Sequence, residues 1–266
     1  MAQPLKIKPG QKVRLKGLDP SYHDGTSKKS AQREADENAA ALDELAYRLY
    51  AEHQRALLIV LQGMDTSGKD GTIRHVMSRV SPQTCKVVSF KQPNSEELEH
   101  DFLWRVHKAV PPHGQLGIFN RSHYEDVLIV RVHELAPKKV WSARYEKINE
   151  FENLLVSEGI VILKFFLHIS RDEQRRRLEQ RIKAPHKRWK ISESDIKERM
   201  YWDDYQRAYE DALTKCSTDA APWYIVPSDR RWYRNLVVGR VVRKALEQMN
   251  PQFPKSTLDL KKLKIK

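Results

Sequence analysis

Cysteine is nearly missing from this sequence: there are two among 266 residues, Cys85 and Cys216. They stand far apart and lack the spacing of a metal site, so they read as free thiols in a reducing compartment. Long apolar runs are missing too. "ALLIVLQG" and "GIVILKFFL" are the longest, and both are too short to cross a bilayer. The opening "MAQPLKIKPGQK" has no apolar segment like that of a secretory leader. No internal repeat is visible, and no Ser/His/Asp constellation for nucleophilic catalysis is evident. A soluble, cytoplasmic protein without a membrane partner is expected. The last shortage is of acid: 35 Asp and Glu face 48 Lys and Arg, a net charge of +13. Such an excess implies a polyanionic partner, or else a solvated basic surface.

What is present is an alternation. Residues 1–30 are rich in Lys, Gly and Ser and lack periodicity, so they read as an extension. "SAQREADENAAALDELAYRLYAEH" then carries Leu42, Leu45, Ala46 and Leu49 at helical spacing. Five short apolar runs read as strands: "RALLIVLQG", "CKVVSF", "QLGIFNRS", "IVILKFFLHIS" and "WYIVP". Helical stretches separate them: "DGTIRHVMSRV", "SEELEHDFLWRVHKAV", "HYEDVLIVRVHEL" and "KVWSARYEKINEFENLLVSEG". A very basic helical stretch over about 171–216 follows the fourth strand, and "RWYRNLVVGRVVRKALEQM" closes the domain. Alternation of this kind argues for an α/β domain over residues 31–250. Its sheet is expected to be parallel and five-stranded, inside a three-layer αβα sandwich. A basic tail, 251–266, lies beyond it.

The first strand runs into "GMDTSGKDGT", residues 63–72. Gly63, Gly68 and Lys69 have the spacing of a phosphate-binding loop, and the strand–loop–helix context is the one that motif requires. Glycines let the N–H groups of Thr66, Ser67 and their neighbours converge on one concavity, and the helix adds its positive end. Lys69 supplies a mobile charge for terminal phosphates. The next residue is usually Ser or Thr; here it is Asp70. A carboxylate there either faces a cation or complements the helix dipole from the first turn. Asp65 lies inside the loop itself. It is either an Asx-turn residue or a ligand for Mg²⁺ lying between it and the phosphates.

The third strand ends in a dense polar run, "IFNRSHYEDV". In P-loop kinases a strand end beside the loop supplies a carboxylate to the metal, and here Asn120 holds that place, with Glu125 and Asp126 beyond. Arg121 can clamp a transferring phosphoryl group, or pair with Glu125 four residues on. After the fourth strand come Arg175, Arg176, Arg177, Arg181, Lys183, Lys187, Arg188 and Lys190, with no acid from Arg181 to Lys190. Solvated charge explains any one of these, but not the run. Nucleotide kinases insert a lid at this place, and an Arg-rich lid closes over phosphates. Trp189 and Trp202 interleave with the run, the one hint of a nucleic-acid binder, but no nucleic-acid motif accompanies them.

"GMDTSGKDGT", "FNRSHYEDV" and "RIKAPHKRWKIS" followed by Asp195 together resemble the family-2 polyphosphate kinases, over roughly residues 30–250. The resemblance implies a thymidylate-kinase-like fold with a helical lid. It also implies Mg²⁺-dependent, reversible phosphoryl transfer between inorganic polyphosphate and nucleotides: AMP, ADP or their guanine equivalents. An ATP-dependent nucleoside monophosphate kinase of the same fold is the alternative. A homo-oligomer, dimer or tetramer, is expected. Carried over, Asp65 helps hold Mg²⁺, Lys69 holds phosphate and Arg121 stabilises the transferring group. Arg177, Arg181, Lys187 and Arg188 become lid contacts with polyphosphate, and Asp195 a lid carboxylate near the nucleotide, as Asp126 is. The commoner family pattern, Asp-Arg-Ser then Trp-Tyr-Asn, is here Asn120-Arg121-Ser122 then His123-Tyr124-Glu125. Glu125 matches a subgroup acting on both AMP and ADP.

Overall fold

Apolar residues run from Ala56 to Leu61, and every residue of the strand Ala56–Gln62 is buried. Alternate side chains of a strand point to opposite faces, so such a strand must be covered on both. The computed structural model of the protein, which describes residues 5–258, shows how. One sheet holds β1 (Leu5–Lys6), β2 (Ala56–Gln62), β3 (Cys85–Ser89), β4 (Leu116–Asn120), β5 (Ile160–His168) and β6 (Trp223–Pro227), in the spatial order β1-β6-β5-β2-β4-β3. The helices are α1 (Lys28–Glu52), α2 (Lys69–Val76), α3 (Ser95–Leu98), α4 (Trp104–His107), α5 (Ile129–Val132), α6 (Lys138–Ser157), α7 (Arg171–Lys183), α8 (Glu193–Glu198), α9 (Trp202–Lys215) and α10 (Arg231–Met249).

Leu57, Ile59 and Leu61 pack with Leu163, Phe165 and Leu167, under Leu42, Ala46 and Leu49 of α1 and Leu236 and Val237 of α10. Leu58 and Val60 pack on the other face with Ile162 and Phe166, under Ile148 and Leu155 of α6 and Ala208 and Ala212 of α9. Three layers result. Each fully buried Leu, Ile or Phe contributes on the order of 1.5–3 kcal/mol. β2 is flanked by parallel β4 on one side and parallel β5 on the other. The chain order reverses there, which opens a crevice beyond the carboxyl ends of β2, β4 and β5.

The sheet corrects the expectation of five parallel strands. A sixth strand, β1, pairs antiparallel with β6, Leu5 opposite Ile225. Two residues show no period, so this strand could not be read from the sequence. The segment after it is stitched to the core: Ile7 N–H donates to the Trp223 carbonyl at 2.9 Å, and Ile7, Val13 and Leu15 are buried. The stretch 95–110 is two short helices. A capping box between Asn94 and Glu97 starts α3, and Asp101 accepts from the Leu103 N–H at 2.9 Å in a turn that separates it from α4. Likewise "HYEDVLIVRVHEL" is a 3-10 turn, His123–Val127, followed by α5. Residues 259–266 of the expected basic tail lie outside the described residues.

Below the crevice, Lys164 of β5 is fully buried. Its ammonium donates to a Glu152 carboxylate oxygen, to Tyr124 Oη at 2.9 Å and to the Cys216 carbonyl at 2.6 Å. Tyr124 Oη donates to the other Glu152 oxygen at 2.9 Å, and His123 Nε2 lies 3.2 Å from it. Burial works against the Glu152 charge, but Lys164 and His123 outweigh it and hold the carboxyl below its usual value. Glu152→Gln leaves Lys164 buried without its counter-charge and is expected to lower stability by about 3–5 kcal/mol. Glu152→Met with Lys164→Met, which removes both charges, should recover much of that. Denaturant unfolding of the three proteins measures it; a wild-type midpoint for the single variant rules the ion pair out as a support. The depressed carboxyl also means that this contribution fades as pH falls through its folded pKa.

Candidate active site

The loop between β2 and α2 lies at the crevice, and its shape depends on two glycines. Gly63 has φ +152°, and a Cβ there would lie 2.7 Å from the Leu167 carbonyl. Gly68, with φ +107°, caps α2, and a Cβ there would lie 1.9 Å from Arg234 Nη1. Thr66 takes φ +62° between them, a left-handed conformation that costs on the order of 1–3 kcal/mol. The first N–H groups of α2 have no partner inside the helix and carry its positive end. Thr66 Oγ1, Ser67 Oγ and Gln62 Oε1 are buried there without hydrogen-bond partners among the described residues. Lys69, 9% exposed, turns back on the loop: Nζ donates to the Gly63 carbonyl at 2.7 Å and to that of Met64 at 3.4 Å. Burial and the neighbouring Arg121 push its ammonium down to about 8, against the pull of Asp65, Glu125 and Asp70.

The structure brings the residues at the end of β4 to this loop. Arg121, left-handed at φ +63°, donates from Nη2 to Asp65 Oδ1 at 2.7 Å. Its charge is disfavoured by burial and more than restored by Glu125 and Asp65. The partner of Arg121 is therefore Asp65 across the crevice, while Glu125 stands beside it as a second carboxylate. Burial pushes the Glu125 carboxyl up, opposed by Arg121 and Lys69. Asn120 Nδ2 donates to Asp70 Oδ1 at 2.8 Å, and Lys190 Nζ reaches Asp70 Oδ2 at 3.3 Å. Burial works upward on Asp70, but these two donors hold its carboxyl below the usual range. Asp126 lies farther back, where Arg144 of α6 donates to its carboxylate at 2.8 Å.

The basic stretch divides into two roles. Arg177 is not on the open face of the lid. It is 4% exposed, and each of its five N–H groups meets a protein acceptor. Nε donates to Glu173 at 2.6 Å; Nη1 to the Thr66 and Ser67 carbonyls, both at 3.0 Å; Nη2 to the carbonyls of Ser228 at 2.5 Å and Asp229 at 3.0 Å. Arg177 buttresses the loop from behind, and no N–H is left for a phosphate contact there. The expected lid corresponds to the 3-10 turn Pro185–Lys190 with the ends of α7 and α8. Pro185 ends α7. Lys187 and Arg188 are exposed on this turn, Arg188 Nε donating to the Ile182 carbonyl at 2.9 Å, and Arg181 Nη1 donates to the Lys190 carbonyl at 3.2 Å. Asp195, half-buried, closes a capping box with Ser192 at the start of α8. Trp189 is 78% exposed beside Lys190, whereas Trp202 is in the core.

Several residues of the site escaped sequence reasoning. Gln174 donates to the Asp65 carbonyl at 3.0 Å, and Lys190, read only as one of the basic run, reaches Asp70 of α2 at 3.3 Å. Arg234, fully buried on α10, donates to the Ser67 carbonyl at 3.0 Å. The available signal for Arg234 was an arginine two residues before the apolar stretch Leu236–Val238 of a core helix.

Comparison with known proteins agrees with this geometry. A family model described as Polyphosphate kinase 2 (PPK2) matches residues 25–254. An AMP/ADP-polyphosphate phosphotransferase of Meiothermus ruber is 49% identical over 254 residues, 94% of each chain. An ADP-polyphosphate phosphotransferase of Rhodopseudomonas palustris is 42% identical, over 95% of this chain and 92% of that one. The crystal structure of a polyphosphate kinase 2 from Arthrobacter aurescens superposes with a TM-score of 0.93 at 41% identity, covering 97% of this chain and 93% of that one. With these matches along nearly its whole length, the chain belongs to the polyphosphate kinase 2 family.

Proposed function

We propose that the protein transfers phosphoryl groups, reversibly, between inorganic polyphosphate and nucleotides, with AMP and ADP as acceptors and Mg²⁺ as the cation. The observation that carries this reading is the closure of a basic lid onto the phosphate loop: Lys190 reaches Asp70, and Arg181, Lys187 and Arg188 stand on the same lid. A nucleotide's few phosphates need the loop, Lys69 and Arg121. A long polyanion also has use for a track of cations beyond them. The names of the M. ruber and R. palustris relatives support nucleoside phosphates as acceptors.

Phosphoryl transfer asks the protein for positioning and charge neutralisation more than for covalent chemistry. The N–H groups of the loop and of α2 receive phosphate oxygens. Lys69 Nζ exchanges the Gly63 carbonyl for a terminal phosphate, and Arg121 meets the charge on the transferring group. A phosphate monoester has its second pKa at about 6, so AMP is mostly dianionic at neutral pH and needs no general base. Glu125 then acts by charge and position, selecting the acceptor. Among the described residues no group of three His, Cys, Asp or Glu side chains is arranged to hold a metal alone. The orphaned Thr66 and Ser67 hydroxyls and the carboxylates of Asp65 and Asp70 instead suit a cation shared with substrate phosphates, as Mg²⁺ prefers, with the Asn120 amide oxygen beside them. Mg²⁺ would neutralise phosphate charge during transfer.

Donor exchange tests the proposal: long-chain polyphosphate and ATP are each offered with AMP, ADP, GMP and GDP, and product nucleotides are counted. Polyphosphate is expected to support turnover of AMP and ADP; turnover with ATP and none with polyphosphate rejects the reading in favour of an ordinary monophosphate kinase.

The lowered Lys69 gives a pH signature. The free enzyme loses this charge as pH rises through about 8, so kcat/KM for the donor should fall above that pH. Bound phosphate favours the ammonium, so the alkaline limb of kcat should lie at higher pH. Coincident limbs, or no alkaline fall, would mean that Lys69 is not the cation the donor meets.

Glu125→Asn restores the commoner family residue. It is expected to reduce kcat/KM for AMP more than for ADP, by on the order of tenfold in their ratio, a difference of about 1.4 kcal/mol. If both acceptors lose rate in equal proportion, Glu125 serves the reacting centre and not acceptor choice.

A further inference from the structure

Behind the phosphate loop, on the side away from the crevice, lies Arg234. It stands in the first turn of α10 and is 2% exposed. Nη1 donates to the Ser67 carbonyl at 3.0 Å, the same oxygen that accepts from Arg177. Nε and Nη2 donate to its neighbour's amide oxygen, Asn235 Oδ1, at 3.1 and 2.8 Å. The two arginines differ in one respect. Arg177 is ion-paired with Glu173. Among the described residues Arg234 has no carboxylate partner; besides burial, the charges that bear on it are Arg177 and Arg231, and together they push its guanidinium down to about 9.

The guanidinium also lies against the backbone at Gly68 and Gly71. A Cβ at Gly68 would fall 1.9 Å from Nη1, and one at Gly71 would fall 3.2 Å from Nη2. Gly71 is inside α2, where glycine weakens a helix, and its φ is not of the left-handed kind. What glycine supplies at 71 is room for Arg234. The cation therefore lies on the backbone whose other face is the expected phosphate concavity. A buried charge without a partner is costly, and a polyanion on the far side of one layer of backbone supplies the missing counter-charge.

We propose that Arg234 is the positioning residue of the phosphate loop: a fixed cation behind it that holds the Ser67 carbonyl away from the crevice and attracts the donor's phosphates without touching them. The inference rests on the reading above that the loop holds phosphate, and adds a residue and a mechanism to it.

Tripolyphosphate is the probe. Its dissociation constant, by calorimetry, and the unliganded melting temperature are measured for the wild type, Arg234→Lys, Arg234→Gln, Gly71→Ala and Lys69→Ala. Gln keeps a donor for the Ser67 carbonyl and loses the charge; Lys keeps the charge. Arg234→Gln is expected to bind about tenfold more weakly and Arg234→Lys within about threefold of the wild type. Gly71→Ala, which crowds the guanidinium, is expected to bind about threefold more weakly with no fall in melting temperature. A purely structural role moves melting temperature and leaves affinity alone. Wild-type affinity in Arg234→Gln, or equal weakening by Gln and Lys, overturns the proposal. If Arg234→Gln does not fold, wild-type affinity in Gly71→Ala overturns it. Failure of the underlying reading looks different: there the wild type and Lys69→Ala bind tripolyphosphate equally.

Discussion

A peptide unit carries a donor on one side and an acceptor on the other. A loop can therefore turn its nitrogens to a polyanion only if its carbonyl oxygens are satisfied behind it. The side chain of Arg177 meets this constraint, and much of the site depends on it. Its guanidinium joins the carbonyls of Thr66 and Ser67 to those of Ser228 and Asp229 and to Glu173. Those groups follow β2, β5 and β6, so one planar cation ties three strand ends together beneath the crevice. Arg suits this where Lys does not, because five donors in a rigid plane reach five acceptors at once. With the loop fixed, the left-handed turn at Thr66 is held, α2 starts at Lys69, and Asp65 is held where Arg121 meets it.

The central strands and the loop were legible in the sequence because their signals are local. Seven buried residues in a row, a Gly-spaced turn and a helix in register need no tertiary knowledge. The polar end of β4 was equally plain, since Asn120 and Arg121 directly follow apolar Ile118 and Phe119. What could not be read was partnership across the chain. The basic stretch looked like one lid, yet α7 has an inward stripe of Gln174, Arg177 and Leu178. The spacing 174, 177, 178 is that of a buried helix face, and it separates Arg177 from the outward Arg175 and Arg176. Composition masked this, because a charged residue on a buried face reads as surface until its acceptors are known. β1 escaped for the opposite reason: two residues are too few to show a period, and its partner β6 lies more than two hundred residues away.

Asp70 shows how a residue that looks wrong for phosphate is accommodated. Its carboxylate is not left facing the crevice alone: Asn120 donates to one oxygen and Lys190 to the other. The first turn of α2 is thus tied to the end of β4 and to the lid. An Asp at 120 would face Asp70 across 2.8 Å, carboxylate against carboxylate, a pairing that needs a cation or a proton between. Asn removes that demand and holds Asp70 charged without a metal. The charges around Lys69 and Arg121 then nearly balance before substrate arrives, with Asp65, Asp70 and Glu125 opposite them. Each cation already has an acceptor: Arg121 has Asp65, Lys190 has Asp70, and Lys69 has the Gly63 carbonyl. Under the proposed function, Arg121 and Lys190 would meet a polyanion from where they stand and only Lys69 would change its acceptor; charges fixed in advance act most strongly on a reaction.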